Sequence, residues 1–301
     1  MMTLAARETP SFVARALLET PTSLDFAHTL SFLCSFAPTR GEQRVAQGVL
    51  TKACSLDGRA VLTRIEATRG GLALEVVSES PLEAQSLARL VERLRFQLSL
   101  DDDLTGFRAL AEADPAFAPV AQRWAGHHHV KFPTPFEIAV WAVLAQRNQR
   151  LGRGIKDRLV AALGPRLVVE GEEHRAFPEA SRVADLAPSR LRSLVGDTPR
   201  ADAIAILARV FAQPSFERWL REAPLDVAES ELRALPQIGP WSAAFVLFRG
   251  LGRMERLAGA SAPILAAAAR VYGPRSEREL RTIAARYGGW CGYWALYLRR
   301  G

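Results

Sequence analysis

The chain has 301 residues, of which 49% are hydrophobic and 24% charged, a composition typical of a globular protein with one or more hydrophobic cores. This composition excludes intrinsic disorder, collagen-like repeats and small disulfide scaffolds. No apolar run reaches the ~18 residues that a membrane span requires, and the charged residues near the start argue against a signal peptide. The 3 cysteines show no Cys-x-x-Cys spacing, which argues against a disulfide framework or an iron–sulfur centre. We therefore expect a cytoplasmic protein.

The net charge is +7, and a basic balance favours a polyanionic partner such as nucleic acid. The excess is carried almost entirely by arginine, because Lys52, Lys131 and Lys156 are the only lysines among the 39 basic residues. An arginine-rich and alanine-rich composition is also what a GC-rich genome produces without selection for DNA binding. The charge therefore permits nucleic-acid binding without indicating it.

The first third of the chain combines strand and helix signals. Residues 1–20 show no clear periodicity and are predicted to form a flexible arm. Two β-rich runs, Ala60–Ala67 and Leu72–Ser78, flank an Arg-Gly-Gly hairpin signal. An amphipathic helix follows from Pro81. These patterns predict a small α+β domain over residues 21–100.

Only helix signals follow, and residues 101–301 are predicted to form an all-helical domain, so that the fold class is α+β. Thr134–Glu137 is a capping-box sequence with proline at the first helical position, and it predicts a helix to about Arg150. Ser276–Glu279 predicts a second capping box. The other helices are predicted over 103–114, 151–163, 188–195, 199–213, 225–234, 241–251, 262–272, 277–287 and 290–299.

The segment 235–244 reads Leu-Pro-Gln-Ile-Gly-Pro-Trp-Ser-Ala-Ala and lies between two of these helices. A short Pro/Gly turn between helices points backbone N–H groups outward, and the second helix adds the positive end of its dipole. Such a segment forms a phosphate clamp that needs no charged side chain. An ordinary corner between two helices has the same pattern, so the segment alone leaves both interpretations open.

This segment resembles the helix-hairpin-helix motif of the base-excision DNA glycosylase superfamily, in which Leu-Pro-Gly-(Ile/Val)-Gly precedes a helix led by Trp or Lys. Three further stretches resemble the bacterial DNA-3-methyladenine glycosylase II family in the same order, namely Phe132–Glu137 leading into Gln146, the helix from Arg200, and Trp290–Tyr297. The resemblance covers roughly residues 22–299. It implies an all-helical glycosylase domain preceded by a small domain like the TATA-binding protein.

The resemblance implies a protein that wedges a side chain into double-stranded DNA, rotates a damaged nucleotide outward and holds its base between aromatic rings. The base pocket then falls on Trp241, Phe245 and Phe32. The wedge position falls on Arg147, beside Gln146; the family's wedge is apolar, but a guanidinium can stack on bases and also reach phosphate. The other DNA contacts fall on Leu235, Gln237, Gly239 and Ser242.

Two residues depart from the family pattern. The family's catalytic Asp stabilises the oxocarbenium-like transition state, and an ungapped count from Trp241 puts that position at Ser261. No Asp occurs after Asp226, and Glu255 is the first carboxylate to consider as a substitute. Losing such an electrostatic group typically costs about 3 kcal/mol or more. At Gln237 the family has glycine, so a positive φ there would strain the backbone.

Two functions follow from the resemblance. The first is a base-excision repair glycosylase that flips alkylated purines of the 3-methyladenine and 7-methylguanine type and hydrolyses the N-glycosidic bond. The alternative is a catalytically silent protein that binds DNA lesions or DNA structures on the same fold. Lyase chemistry is disfavoured, because no lysine follows Lys156.

Partners and cofactors follow from the same resemblance. We expect a monomer that binds double-stranded DNA, associates with the nucleoid, and needs no nucleotide cofactor or catalytic metal. A structural alkali ion held by hairpin carbonyls is the one ion that the family suggests. His127–His129 is predicted to be an exposed loop that faces phosphate, because three consecutive side chains converge poorly on one metal ion.

Overall fold

The computed structural model describes residues 12–21, 23–39, 41–146, 148–256 and 262–300. An antiparallel five-stranded sheet with its covering helices comes first, and a helical part with one two-stranded sheet comes after it. The predicted α+β class is confirmed. None of the described helices is both long and apolar enough to cross a bilayer.

The large sheet has the strand order β1-β5-β4-β3-β2, so that the first strand pairs with the last. Two-residue turns with positive φ, Gln47-Gly48 and Asp57-Gly58, connect β2 to β3 and β3 to β4, as the twist of antiparallel hairpins favours. The strands are β1 (Phe12–Leu18), β2 (Gln43–Ala46), β3 (Val49–Leu56), β4 (Arg59–Thr68) and β5 (Gly71–Ser78).

Strand β1 corrects the prediction that residues 1–20 form a flexible arm. It pairs with β5 along its whole length, from Phe12 opposite Ser78 to Leu18 opposite Leu72. As an edge strand it buries few side chains, and only Leu18 among its residues is fully buried, so its hydrophobic pattern is weak. Residues 1–11 of the predicted arm lie outside the described part of the chain.

Helices account for most of the rest of the chain. They are α1 (Phe26–Ser35), α2 (Ala84–Leu98), α3 (Thr105–Glu112), α4 (Ala118–Arg123), α5 (Pro135–Leu144), α6 (Gln149–Leu163), α7 (Ala180–Ala184), α8 (Pro188–Val195), α9 (Thr198–Phe211), α10 (Pro214–Glu222), α11 (Leu225–Ala234), α12 (Pro240–Leu251), α13 (Ala262–Tyr272), α14 (Glu277–Ala285) and α15 (Cys291–Leu298). A hairpin that the sequence did not predict, β6 (Arg166–Val169) with β7 (Glu172–Arg175), follows α6.

The helix predicted to reach about Arg150 is two helices. The first ends at Leu144, and α6 begins after Asn148, whose side-chain oxygen accepts a hydrogen bond from the Leu151 N–H at 3.1 Å. This N-cap starts a new helix although the apolar periodicity continues through the break. The described residues between the two helices are Ala145, Gln146 and Asn148, and the predicted wedge position, Arg147, lies outside the described part of the chain.

Three hydrophobic cores hold these elements together. One lies between the large sheet and helices α1 and α2. A second is built from α5 to α12, which includes both helices of the predicted hairpin motif. The third joins α3 and α4 to α13, α14 and α15, and a small cluster joins the large sheet to the β6–β7 hairpin. Helix α12 therefore packs on α5 and α11 while its first turn stays at the surface.

Candidate functional site

The connection between α11 and α12 is a tight turn. The Ile238 N–H donates to the Leu235 carbonyl at 3.2 Å, with Pro236 in the second position of the turn. Gln237 in the third position has a φ of +62°. A type II turn has proline and a left-handed residue in these two positions, and glycine adopts the latter without strain. Gln237 therefore has the strained backbone that its replacement of glycine predicts.

The first turn of α12 carries no side-chain cap. Its N-cap residue is Gly239, which has no side chain, and Pro240 follows at the first helical position without an N–H group. The N–H groups of Trp241 and Ser242 come next in this uncapped first turn. A Cβ built on Gly239 would meet no atom within 4 Å, so the approach to the turn is open. Uncapped N–H groups and the helix dipole together form a site for an anion such as phosphate.

Trp241 and Phe245 form a stacked pair on the exposed side of α12. They are one turn apart, their ring centroids are 4.9 Å apart and their planes differ by 16°. Trp241 is 57% exposed, the highest value among the large hydrophobic side chains that the structure describes as exposed. Phe245 is partly buried and contacts Phe132 edge-on at 6.4 Å. One face of the indole is thus supported from below while the ring remains accessible to a planar ligand.

Phe32 lies deeper than the predicted pocket requires. It is 8% exposed on α1, and its nearest aromatic ring is Phe36 at 4.7 Å. Phe36 contacts Phe132 at 5.6 Å, and Phe132 in turn contacts Phe245. The structure therefore connects Phe32 to the exposed pair through two intervening rings rather than bringing it into direct contact with them.

Arg249 is a buried cation that was not predicted from the sequence. Its guanidinium lies 4.7 Å from the centre of the Phe32 ring and 5.4 Å from that of Phe36, and its Nη1 donates to the Val130 carbonyl at 3.0 Å. Burial, together with the charges of two nearby arginines, lowers the pKa of Arg249 to about 9. Arg249 lies on the same face of α12 as Trp241 and Phe245, and this face becomes more buried from Trp241 to Arg249. The Arg249 guanidinium thus holds α1 against α12 through cation–π contacts.

Gln146, which lies between α5 and α6, contacts the hairpin turn directly. The Nε2 of Gln146 donates to the Gln237 carbonyl at 2.5 Å. Both residues are exposed, whereas Ser242 is buried and Leu235 is half-buried. The structure thus brings together the predicted DNA contacts Gln146, Gln237 and Gly239 at one surface. Arg147, the predicted wedge, lies outside the described residues.

Carbonyl groups at this turn are partly engaged. The Leu235 carbonyl accepts from the Ile238 N–H, and the Gln237 carbonyl accepts from Gln146. A structural alkali ion would have to share these oxygens, and we assign no ion to the turn. Among the described residues, no group of three or more His, Cys, Asp or Glu side chains is placed to hold a metal.

The position predicted for the missing catalytic Asp, Ser261, lies outside the described residues, and α13 begins directly after it. The Glu255 carboxylate accepts a hydrogen bond from Arg253 Nε at 2.6 Å. Glu277 pairs with Arg281, and Glu279 completes the capping box of α14. Since these three are the only carboxylates after Glu231, each carboxylate in this part of the sequence already has a local partner.

The prediction of an exposed loop at His127–His129 is wrong. All three histidines are at most 1% exposed, beneath α1 and α15. His128 Nδ1 lies 2.7 Å from the Ser99 carbonyl, to which it donates, while the ring nitrogens of His127 and His129 have no hydrogen-bond partner among the described residues. Burial lowers the pKa of His127 to about 3 and also lowers that of His129, so that both are neutral at pH 7. A run of polar histidines predicted exposure to solvent, but its burial depends on packing against segments that are distant in the sequence.

The chain is similar to known DNA repair proteins in sequence. No protein-family model matches it. It is 31% identical over 173 residues to a DNA-3-methyladenine glycosylase of Bacillus subtilis, and this match covers 57% of each chain. It is 30% identical over 213 residues to a probable bifunctional transcriptional activator/DNA repair enzyme AlkA of Mycobacterium tuberculosis, which covers 69% of this chain and 42% of that one. The chain thus spans about half the length of these relatives.

Solved structures show the same fold. A 3-methyladenine DNA-glycosylase from Archaeoglobus fulgidus superposes with a TM-score of 0.75 at 20% identity, covering 95% of this chain and 97% of that one. An 8-oxoguanine glycosylase/lyase from Clostridium acetobutylicum, in complex with double-stranded DNA, gives a TM-score of 0.63 at 13% identity, covering 87% and 88%. The fold is therefore that of the helix-hairpin-helix DNA glycosylases, and the resemblance seen in the sequence is confirmed.

Proposed function

Starting from this similarity to DNA-3-methyladenine glycosylases, we propose that the chain is a base-excision repair protein that binds double-stranded DNA and excises alkylated purines of the 3-methyladenine and 7-methylguanine type. The observation that carries the proposal is the stacked pair Trp241 and Phe245 beside the uncapped first turn of α12. A base-stacking platform and a phosphate site within one helical turn suit a flipped nucleotide, because its base and its phosphates are then bound together.

Each part of the surface has a separate task in this proposal. The first turn of α12 holds a backbone phosphate through N–H groups, which fixes the register of the duplex without reading sequence. The segment before Asn148 enters the DNA duplex at the place that the flipped nucleotide leaves, and Arg147 provides the wedge side chain. Trp241 then stacks on the extruded base. A cationic methylated purine is favoured there, since the face of an indole attracts positive charge.

The bond that breaks joins C1′ of the sugar to the purine nitrogen. Its electron pair leaves with the base and neutralises the positive charge of the alkylated purine, so the base is a good leaving group. Water adds to C1′ and loses a proton. The family uses an Asp to stabilise the sugar cation, and we place Ser261 at that position. A hydroxyl does not replace this charge, which is worth about 3 kcal/mol, so we expect slow excision confined to cationic bases.

A second function is favoured by one observation. All three carboxylates that follow Glu231 are engaged in local ion pairs or a helix cap, so none is poised to take over from the missing Asp. A protein with the same surface and no catalytic group would bind alkylated or flipped nucleotides and protect or mark them without releasing the base.

Release of free base from alkylated duplex DNA separates these two functions when binding to the same duplex is measured alongside. Release of 3-methyladenine and 7-methylguanine above the spontaneous rate supports excision, and tight binding without release supports the silent protein. The Ser261→Asp variant should raise release by roughly tenfold, a modest part of the ~3 kcal/mol that such a carboxylate supplies. Asp and Ser are about equally good N-caps, so the substitution should leave stability nearly unchanged. Absence of both binding and release contradicts the proposed function.

A further inference from the structure

A cavity separate from the surface of α12 lies between the large sheet and the helical part of the chain. Strand β3 and helix α2 bound it on one side, and α5, α6, α9, α10 and residues 175–180 bound it on the other. Its volume of about 150 Å³ has room for about ten water molecules or for one small organic molecule. Cavities between separately packed parts of a chain are preferred places for ligands.

Three phenylalanine rings form an apolar side of this cavity. The ring of Phe136 lies 5.9 Å from that of Phe177 and 6.4 Å from that of Phe211, and the planes are tilted by 57° and 45°. Phe136 is buried, whereas Phe177 and Phe211 are half-buried, so the rings extend from the interior towards the surface. Tilted rings offer both faces and edges to a further planar group.

Most charged groups of the lining already have partners within the chain. The four carboxylates that line the cavity are Glu42, Glu137, Glu179 and Glu217. The first two share the Lys156 ammonium at 2.7 Å, the third accepts a hydrogen bond from the Ser55 hydroxyl at 3.0 Å, and the fourth pairs with Arg221. The Arg175 guanidinium is held by Glu173 at 2.7 Å. These groups therefore need no ion from outside.

Two cations of the lining are less completely paired. The Lys52 side chain on β3 is 11% exposed, and its nearest polar contacts among the described residues are Gln43 at 3.4 Å and Glu42 at 3.6 Å. Arg93 on α2 is half-buried and donates from Nη1 to the Ser55 carbonyl at 2.7 Å. In the described part of the chain no carboxylate lies within 4 Å of the Arg93 guanidinium. Both side chains thus keep hydrogen-bond donors for a ligand.

The charges of these two cations act on the same part of the cavity. Burial raises the pKa of the Cys54 thiol, and the positive charges of Lys52 and Arg93 both oppose this rise. Cys54 lines the cavity as well. An anionic group beside Cys54 is therefore within the field of both cations, and little water is present there to screen the attraction.

We propose that the cavity is a binding site for a small organic carboxylate with a planar apolar body. The carboxylate accepts hydrogen bonds from the Lys52 ammonium and the Arg93 guanidinium, and the body packs against the phenylalanine rings. A cationic ligand is disfavoured, because the carboxylates of the lining are already engaged. Such a site lies outside the DNA-binding surface and is independent of the proposed function.

The test compares benzoate, benzyl alcohol and benzylammonium, which have nearly the same size and are anionic, neutral and cationic at neutral pH. Calorimetric titration of the full chain should give a Kd for benzoate of about 1 mM or below. Benzoate at about ten times its Kd should raise the melting temperature by about 2 °C. The other two compounds should bind about tenfold more weakly or worse, because they cannot accept charge-assisted hydrogen bonds from the two cations.

Two variants each remove one of the proposed contacts. Lys52→Met and Arg93→Leu should each weaken benzoate binding by about tenfold and reduce the preference for benzoate over benzyl alcohol. Arg89→Leu is the matched control on α2. Arg89 lies one helical turn before Arg93, pairs with Asp57 at 2.8 Å and is not part of the lining, so its removal should leave benzoate binding unchanged. A melting curve without ligand shows that each variant is folded.

Three results would overturn the proposal. Absence of benzoate binding, or equal binding of all three compounds, would show that the cavity does not select a carboxylate. Preferential binding of benzylammonium would assign the cavity to cations instead. Unchanged benzoate binding in both Lys52→Met and Arg93→Leu would place the bound molecule elsewhere on the chain. The proposed action on DNA would stand in each case, since it is measured on duplexes without these compounds.

Discussion

At the scale of single residues, His127 and His129 are the polar groups whose burial has the clearest consequence. Four imidazole nitrogens lie in the interior without a hydrogen-bond partner among the described residues. Burial, and then the positive charges of Arg300 and His28, lower the pKa of His127 to about 3. In an unfolded chain the same group titrates near pH 6.5. Below that pH the unfolded chain therefore binds a proton at His127 that the folded chain does not bind.

We predict that stability falls as the pH drops below about 6.5, because proton uptake by the unfolded state favours unfolding. His127 alone should contribute a loss of about 2 kcal/mol between pH 6.5 and pH 5. The measurement is the free energy of urea unfolding at several pH values. His127→Phe keeps a ring in the core and should reduce the slope with pH. Equal stability of the wild type at pH 8 and pH 5 would contradict the prediction.

At the scale of elements, helix α12 lets the phosphate site be tested separately from folding. Gly239 has a φ of −83°, which any residue adopts, and a Cβ there meets no atom within 4 Å. Gly239→Val should therefore fold with an unchanged melting temperature. Its branched side chain would stand in front of the first N–H groups and should weaken binding to every duplex sequence alike, by about tenfold for the loss of one charge-assisted contact.

Thermal unfolding and anisotropy titrations on several unrelated duplexes test this prediction. A loss that depends on the duplex sequence would mean that Gly239 lies beside bases rather than phosphate. Unchanged binding would place the phosphate site elsewhere on the chain.

Helices α5 and α6 are joined by a buried ion cluster. Lys156 Nζ lies 2.7 Å from a carboxylate oxygen of Glu137 and 2.7 Å from one of Glu42, and the lysine side chain is 0% exposed. Glu137 lies in the first turn of α5 and Glu42 precedes β2, so one ammonium group links both helices to the large sheet. The Thr134–Glu137 capping box remains incomplete for this reason, since Glu137 accepts from Lys156 instead of the N-cap N–H.

Lys156→Met should lower the free energy of unfolding by about 3–5 kcal/mol, because two buried carboxylates lose their cation. Urea denaturation at pH 7 measures this change. Lys52→Met is the matched control: Lys52 Nζ lies 3.6 Å from Glu42, and its side chain is partly accessible, so a smaller loss is expected. Equal losses in the two variants would contradict a special role for Lys156.

How well the elements could be predicted depended on whether their signals were local. Helices α8, α11 and α13 have the predicted bounds, and α8 ends at Gly196, which forms a left-handed C-cap. Besides β1, the strands β2, β3, β6 and β7 were missed. The 4-residue strands β2, β6 and β7 give almost no periodicity, and β3 buries four consecutive residues at its end instead of alternating. Their hairpins were nevertheless marked by Gln47-Gly48 and Glu170-Gly171, two pairs with a glycine in the second place of a tight turn.

At the scale of the whole molecule, the net charge of +7 permits a direct test of DNA binding. Each phosphate that the protein neutralises releases counterions, so affinity must fall as salt rises. About four phosphate contacts would lower the affinity roughly a hundredfold between about 50 and 200 mM salt. Titration of a plain duplex at several salt concentrations gives the slope. A slope near zero would contradict both the glycosylase and the silent DNA-binding protein.

The candidate site was predictable where its residues are close in sequence. The resemblance to the glycosylase family implies that Trp241 and Phe245 lie together in the base pocket, and the two rings, one helical turn apart, stack. Phe32 and Arg249 meet only because α1 packs against α12, and no local pattern encodes that contact. The same reason explains the error at the three histidines, whose burial depends on helices from both ends of the chain.

The third hydrophobic core has a consequence for the order in which the protein forms on the ribosome. Phe107 and Phe117 are fully buried against Tyr287, Tyr293 and Trp294, which are synthesised more than half of the chain length later. Until those late helices emerge, the two phenylalanines can pack only against each other and nearby residues of α3 and α4, whereas the core around α5 to α12 is complete in sequence. We expect the nascent chain to form the hairpin-bearing core first and to expose these early aromatics meanwhile, since contacts between distant segments form slowly. Translation speed and chaperone access would then influence the yield of this protein more than the stability of its finished fold.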